Sequence, residues 1–438
     1  MRSNSRSRVS WFAVRSARGV TSLEVVVALA GAAVAVLELV APHRVWSFPV
    51  RGVPSVVFPA AVLAMLAACW WSRTPPRERA PLHPVATFAI AAVALWLVRC
   101  DELYGDATIV NRMVAGGVLF VKREPLTSAV FVVVHRTLGA LLHWRPLVTI
   151  QVVDTIAGGL GVVALVALAR RIAEPARIPA AAALVGCGAV QLFAGYVELY
   201  TLSTTCMLAS LVCGLDALAG RRGPVPAFAL WTLSCAFHLS GLVFAPAMVW
   251  LALRTRGNLL RLAAVTVLPA VVLYLVMRWT GYAGSDEAGF GGGDGHMFVP
   301  LFELTGMAHY LMLRPTHLLA IANEQLLVAP LGLVLVVAGA ARGRWRASRP
   351  GLPVDAHVYL GLVASAFFAL TVIWNPDFGP LRDWDLFGPV GFYLTIWGIA
   401  LVARQLGDEP ARLHALLWFV AVVHFSRGLP FILHNAGL

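Results

Sequence analysis

The stretch VATFAIAAVALWLVRC, residues 85–100, runs without interruption into DELYGDATIVNRMVAGG, residues 101–117. An apolar run that ends on an Asp–Glu pair is either a buried helix reaching the protein surface or a membrane span reaching the interface. The rest of the chain decides between them. Further apolar runs cover 21–41 and 55–71, and over the 438 residues 59% are hydrophobic and 13% charged, with a mean hydropathy of +0.78. Soluble domains average about 25% charged and 45–50% apolar residues, so a cytosolic enzyme, a disordered tail, a collagen and a small disulfide scaffold are all excluded. At about 20 apolar residues per crossing, the chain holds enough material for about a dozen spans. The fold class expected is all-α, a polytopic membrane protein.

Charge placement supplies the topology. The net charge is +12, and of the 34 basic residues only Lys122 is a lysine. Arginines gather between apolar runs: Arg2 to Arg18, Arg73 to Arg79, Arg170 with Arg171 and Arg177, Arg221 with Arg222, Arg254 to Arg261, Arg342 to Arg349, and Arg404 with Arg412. The positive-inside rule assigns such clusters to the cytoplasmic side, which gives about thirteen spans, with the N-terminus inside and the C-terminus outside. The segment 225–253 has arginines at both flanks, so it must leave and return, and it is expected to turn near His238. Three outer segments follow, at about 101–144, 281–316 and 375–385. No basic aromatic module is left over for a nucleic acid. The cysteines lie in or at the end of apolar runs without a CxxC, as packing residues.

The first outer segment carries the clearest chemistry. Leu103, Ala107, Val110, Val114 and Gly117 mark one narrow apolar stripe of a helix, with Asp106, Asn111 and Arg112 off it. A second helix opens at Pro125, with Leu126, Val130, Val133, Val134 and Leu141 on one face and His135, Arg136 and His143 elsewhere. Two helices lying in the interface after a carboxylate pair suit group transfer from a lipid phosphate. A partly desolvated Asp101 would serve as general base, and Lys122, Arg123 and Arg136 would hold a phosphate leaving group. Asp101 and Glu102 could equally do no more than cap a helix and mark the interface.

DELYGDATIVNRMVAGG followed by KREPL resembles the first outer loop of the C-type (GT-C) glycosyltransferases, in the branch of the protein O-mannosyltransferases and aminoarabinose transferases. The matching positions are Asp101, Glu102, Tyr104, Arg112 with Gly116, and the Glu124-Pro125-Leu126 step. The resemblance covers about forty residues by motif. Leu103 and Gly105 dilute the charged start, and Arg123-Glu124 stand where Lys-Pro is usual. It implies Asp101 as the catalytic carboxylate, supported by Glu102 or Asp106. Residues 1–84 then form an extra N-terminal hairpin before a GT-C-like core at 85–438.

In the third outer segment, NPDFGPLRDWDLFGP (375–389), Asp383 and Asp385 are spaced to bind a divalent metal ion if they converge, and Arg382 stands beside them for a phosphate. A turn with a local ion pair is the plainer alternative. GYVELY (195–200) places Tyr196 and Glu198 at the same outer level as Asp101, facing substrate or forming an interfacial belt. His238 is a candidate for binding phosphate or sharing a proton. Asp154 lies inside a span, where Gly158, Gly159 and Gly161 suggest close helix packing that it could join. GFGGGDGH (289–296) lacks the Gly-Lys-Ser/Thr ending of a P-loop.

These readings converge on a bacterial inner-membrane transferase working on the outer face. The expected donor is a polyprenyl-phosphate sugar and the acceptor a lipid, glycan or protein, with inversion at the anomeric carbon. A lipid-linked saccharide flippase would scatter polar groups at mid-depth instead. An O-antigen-type polymerase or ligase would lean on His296, His309 and Arg314.

Overall fold

In hydrocarbon every backbone N–H and C=O must find its partner within its own segment, so apolar runs become helices. A computed structural model of the chain describes residues 22–40, 46, 83–100, 103, 107–121, 123–280, 298–302, 311–341, 352–376, 381 and 383–438. Helix α1 is Ser22–Val40 and α2 is Pro84–Leu97; α3 (Ala107–Gly116) and α4 (Pro125–Val134) belong to the first outer segment. Then come α5 (Pro146–Ile172), α6 (Arg177–Val185) with a 3-10 turn at Gly188–Phe193, α7 (Thr201–Leu218) and α8 (Val225–Phe237). Next are α9 (Ala245–Thr255), α10 (Leu259–Trp279), α11 (Pro315–Val328), α12 (Gly332–Ala341) and α13 (Val354–Ile373). A single turn, α14 (Trp384–Phe387), leads into α15 (Pro389–Leu406) and α16 (Pro410–Asn435). The β-pairing among the described residues is one antiparallel bridge between Phe298 and Trp374, so the all-α class holds.

The chain is a multi-pass membrane protein. Among the described residues, six helical stretches are long and apolar enough to cross a bilayer: α5, α7, α10, α13, α14 with α15, and α16. Helices α11 and α12, bent by 98° at their junction, make a seventh if counted as one span, and α2, α8 and Leu239–Thr255 are shorter apolar helices. The expected thirteen crossings therefore exceed what long helices alone establish. The chain breaks at His238, whose extended backbone (φ −154°, ψ 133°) ends α8. It then folds back, with the Trp231 indole donating to the Gly241 carbonyl at 2.8 Å. That is the hairpin expected for 225–253.

Ends assigned to one side by their arginines do meet. Arg171 forks onto Asp216 at 2.8 and 2.7 Å, and Arg221 and Arg222 join the same carboxylate at 2.7 and 3.2 Å. Arg254 pairs with Asp355 at 3.1 Å. Helices α1 and α16 are clipped at two levels, Glu24 to Arg412 and Glu38 to Arg427. Because the lower-numbered glutamate takes the lower-numbered arginine, the two helices run parallel and cross in the same direction. Glu24 and Glu38, near the two ends of α1, thus each hold a partner on α16.

Helix–helix packing in lipid relies on close approach, because tails are as apolar as leucine. Gly158 on α5 meets the Phe193 backbone so closely that a Cβ there would lie 2.7 Å from the Phe193 carbonyl oxygen, while Gly159 faces Phe88 and Ala92 of α2. The glycines do serve packing. Helix α10 has the opposite character: among the described residues little packs against it, and Leu262 and Met277 are its buried side chains. Cys100, Cys187, Cys206, Cys213 and Cys235 are free thiols.

The two helices of the first outer segment use their apolar stripes differently. Ala107, Val110 and Val114 of α3 do not face lipid. They pack with Phe131, Ile150, Val197 and Leu199 into a small second core. On α4 the protein side is instead Thr127, Ser128, Phe131 and Val132, and Val133 and Leu141 of the expected stripe stay exposed.

Candidate active site

Six residues, GYVELY, organise the outer end of the bundle. Leaving the 3-10 turn at Phe193, the segment alternates. Val197 and Leu199 enter the small core under α3, and Tyr196 and Tyr200 turn to the main one. Glu198 lies between the two tyrosines and is 2% exposed. Tyr196 and Glu198, both expected here from sequence, thus sit in one buried row. The row begins beside Cys100, whose N–H donates to the Ala194 carbonyl at 2.9 Å and whose own carbonyl accepts from the Gln151 amide at 2.7 Å. The last residue before Asp101 is therefore pinned through both backbone groups. Asp101, Glu102, Asp106, Lys122 and Arg382 lie outside the described residues, as do residues 289–296.

At one end of the row, the Tyr196 hydroxyl accepts a hydrogen bond from the Trp384 indole at 3.2 Å, and the rings meet edge to face at 5.2 Å. Burial, with the charges of Asp385 and Glu198 nearby, holds the Tyr196 phenol well above its usual pKa. It remains a neutral hydroxyl at any physiological pH. Trp384 also meets Phe431 of α16 at 4.9 Å. Asp383 precedes α14 and Asp385 is buried within it, its carboxylate accepting from the Leu386 N–H at 3.0 Å. Among the described residues no three His, Cys, Asp or Glu side chains gather as a metal site.

At the other end, Tyr200 tilts against the His238 ring at 4.5 Å. His238 Nδ1 accepts the Ser240 N–H at 3.0 Å, which places the ring proton on Nε2, and Nε2 reaches the Glu124 carboxylate at 3.1 Å. Both side chains are under one-tenth exposed. Backbone contacts lock this junction. Leu239 N–H donates to the Arg123 carbonyl at 3.0 Å, and the Thr127 hydroxyl donates to the Phe237 carbonyl at 2.8 Å. Pro125 opens α4 at its first turn, as the sequence implies, with Glu124 as its N-cap residue. Sequence reasoning picked out His238 but not its partner. Replacing His238 with Ala leaves a buried carboxylate without its donor and is expected to cost about 1–3 kcal/mol. His238→Gln, which keeps an N–H donor, should recover most of the loss of melting temperature in detergent.

The cations of the first outer segment flank this junction. Helix α3 ends in a Schellman motif: Val118 N–H bonds the Met113 carbonyl at 3.0 Å, Gly117 N–H bonds the Val114 carbonyl at 3.1 Å, and Gly117 has φ +73°. The Arg136 guanidinium lies over Gly117, where an added Cβ would run into Nη2. Arg136 itself belongs to a π turn, His135–Gly139, that widens the end of α4, a feature frequent at functional sites. Gly117→Ala must adopt a left-handed backbone and evict Arg136. It should cost about 1–2 kcal/mol, read as a lowered melting temperature, and Arg136→Ala should not relieve the backbone share. Arg123 and Arg136 are both exposed at this rim.

No protein-family profile matches the chain, and no curated protein matches it by sequence. Among solved structures, ArnT from Cupriavidus metallidurans bound to undecaprenyl phosphate superposes with a TM-score of 0.52 at 17% identity, covering 81% of this chain and 76% of that one. The same protein in its apo state gives 0.50 with the same identity and coverage. The likeness is one of fold, over most of both chains.

Proposed function

From the C-type glycosyltransferase fold of this chain, we propose that it transfers a sugar from a polyprenyl-phosphate donor to an acceptor at the outer membrane face. The observation that carries this reading is the row formed by buried Tyr196 and Glu198 and half-buried Tyr200, with Cys100 pinned at its head. It brings a cluster of acidic and hydroxyl side chains to the end of the bundle where the Asp101–Glu102 pair follows in the sequence. The related fold that binds undecaprenyl phosphate supports the lipid-linked donor. Nucleotide sugars are made in the cytoplasm, so a site on the far side from the arginine clusters needs a donor carried by lipid.

In this reading Asp101 takes the acceptor's proton as the acceptor oxygen attacks the anomeric carbon, and the bond to the lipid phosphate breaks in one inverting displacement. Glu102 and Asp106 support the base. Lys122, Arg123, Arg136 and Arg382 neutralise the departing phosphate, and His238, oriented by Glu124, orders the rim. Fold alone does not fix chemistry, so the test is direct. Membranes with and without the protein are given a radiolabelled polyprenyl-phosphate sugar pool and a whole-cell extract as acceptor. Label should leave the lipid fraction only where the protein is present. Donor that stays intact would overturn the transferase, and intact donor that changes leaflets would establish a flippase instead.

A further inference from the structure

The end of the bundle farthest from the row described above carries charges that the transferase reading does not use. Gln151 and Tyr200 stand at the outer ends of α5 and α7, and Arg171 and Asp216 at their other ends, about 30 Å away along α5. The Asp216 side chain, 2% exposed, accepts from Nε and Nη2 of Arg171 at 2.8 and 2.7 Å and from Nε of Arg221 at 2.8 Å, and lies 3.2 Å from Nη2 of Arg222. The end of α7 is folded to allow this. Gly220, at φ +70°, closes a turn in which the Arg221 N–H bonds the Asp216 carbonyl at 2.8 Å, so the chain returns both arginines over the last turn of the helix. One carboxylate neutralises only one of three guanidinium groups. Arg171 is also engaged by the Ala167 carbonyl, whereas Arg221 and Arg222 stay 53% and 48% exposed.

A second basic loop abuts the first. A Cβ on Gly257 would lie 2.9 Å from Cγ of Pro224, so residues 256–258 pack on residues 219–224. They bring Arg256, held at φ +47°, and Arg261 in the first turn of α10, and neither has an ion-pair partner among the described residues. Arg254 pairs with Asp355 and stacks on Trp250 at 4.4 Å. Six guanidinium groups thus stand against Asp216 and Asp355, and like charges so gathered repel one another unless an anion joins them.

The surroundings select the anion. Val225, Leu259 and Leu260, next to these arginines in the chain, are exposed, and α8 and α10 pack side by side. Cations at the ends of exposed apolar helices suit a headgroup whose acyl chains run along those helices. A soluble phosphate would engage the arginines and leave the leucines unused. A single-stranded nucleic acid would call for aromatic stacking surfaces, and residues 219–224 and 256–258 contain no aromatic.

We propose that Arg221 and Arg222, with Arg256 and Arg261, form a binding site for the phosphate of an anionic phospholipid in the leaflet at this end of the bundle, the end that the positive-inside rule assigns to the cytoplasm. The site stands independently of the transferase reading.

Full-length protein purified in detergent is titrated with dioleoyl phosphatidylglycerol and, in parallel, with dioleoyl phosphatidylcholine, and bound lipid is counted by native mass spectrometry. Phosphatidylglycerol should bind about tenfold tighter than phosphatidylcholine. Arg221→Gln with Arg222→Gln should erase that preference, with Asp216 still held by the Arg171 fork. Arg256→Gln with Arg261→Gln should erase it too without breaking an ion pair, which separates lost binding from lost folding. Arg6→Gln with Arg8→Gln, removing the same charge from the N-terminal cluster, should keep it. A wild type that binds both lipids equally overturns the site, as does a preference that survives both loop variants. An equal loss in the Arg6 and Arg8 variant would reduce it to a diffuse field, and displacement of phosphatidylglycerol by an equal amount of glycerol phosphate would make the occupant a soluble anion; either result overturns the lipid site.

Discussion

Membranes carrying Asp101→Asn are expected to transfer no measurable sugar from a labelled polyprenyl-phosphate pool, while the protein accumulates and inserts as the wild type does. The amide has the size of the carboxylate but cannot accept the acceptor's proton, and a positioned general base is worth about 10²–10⁴-fold in rate. Insertion is expected to be spared because Cys100, just before the pair, is held through its backbone by the Ala194 carbonyl and the Gln151 amide. Glu102→Gln and Asp106→Asn should fall between wild type and Asp101→Asn. Full activity in Asp101→Asn would move the base elsewhere, with Glu198 the next carboxylate to replace, since it is buried in the row that begins beside Cys100.

The legible parts of this fold are those where water, charge or backbone geometry leaves a mark. The short hairpin at 225–253 was forced by arginines on both flanks, and the chain does break at His238. Pro125 marked a helix start because its fixed φ suits the first turn. Gly158 and Gly159 marked close packing. What the sequence hides is which face of an apolar helix meets protein. In water the buried face is the apolar one, but in a bilayer both faces are apolar and the periodic contrast fades. Thus α3 spends its stripe on protein and α4 leaves much of its own to lipid. On α4 and α5 the inward side is marked by polar residues instead: Thr127, Ser128 and Gln151 all bond backbone carbonyls. Partnerships across the chain, such as Glu124 with His238 or Tyr196 with Trp384, have no local signature.

The largest stability effect is expected far from the chemistry, at Arg427. Its guanidinium pairs with Glu38 at 2.8 Å and also donates to the Trp46 carbonyl at 2.6 Å, with the arginine side chain 4% exposed and the glutamate 14%. Arg427→Ala strands Glu38 in an apolar setting, and breaking one partner of a buried pair costs about 3–5 kcal/mol. Removing both charges, as Glu38→Leu with Arg427→Leu, takes away the stranded ion and should restore at least half of that, whereas two independent surface residues would simply add their losses. Unfolding in mixed micelles followed by tryptophan fluorescence measures all three proteins. A single variant as stable as the wild type, or a double variant as poor as the sum, would remove the clip from the account. Function should follow stability here through one helical turn: Phe431, four residues beyond Arg427 on α16, packs on Trp384, which in turn donates to Tyr196. Loosening α16 from α1 is therefore expected to lower transfer in Arg427→Ala at temperatures where the protein is still folded, and the double leucine variant should regain activity together with its melting point.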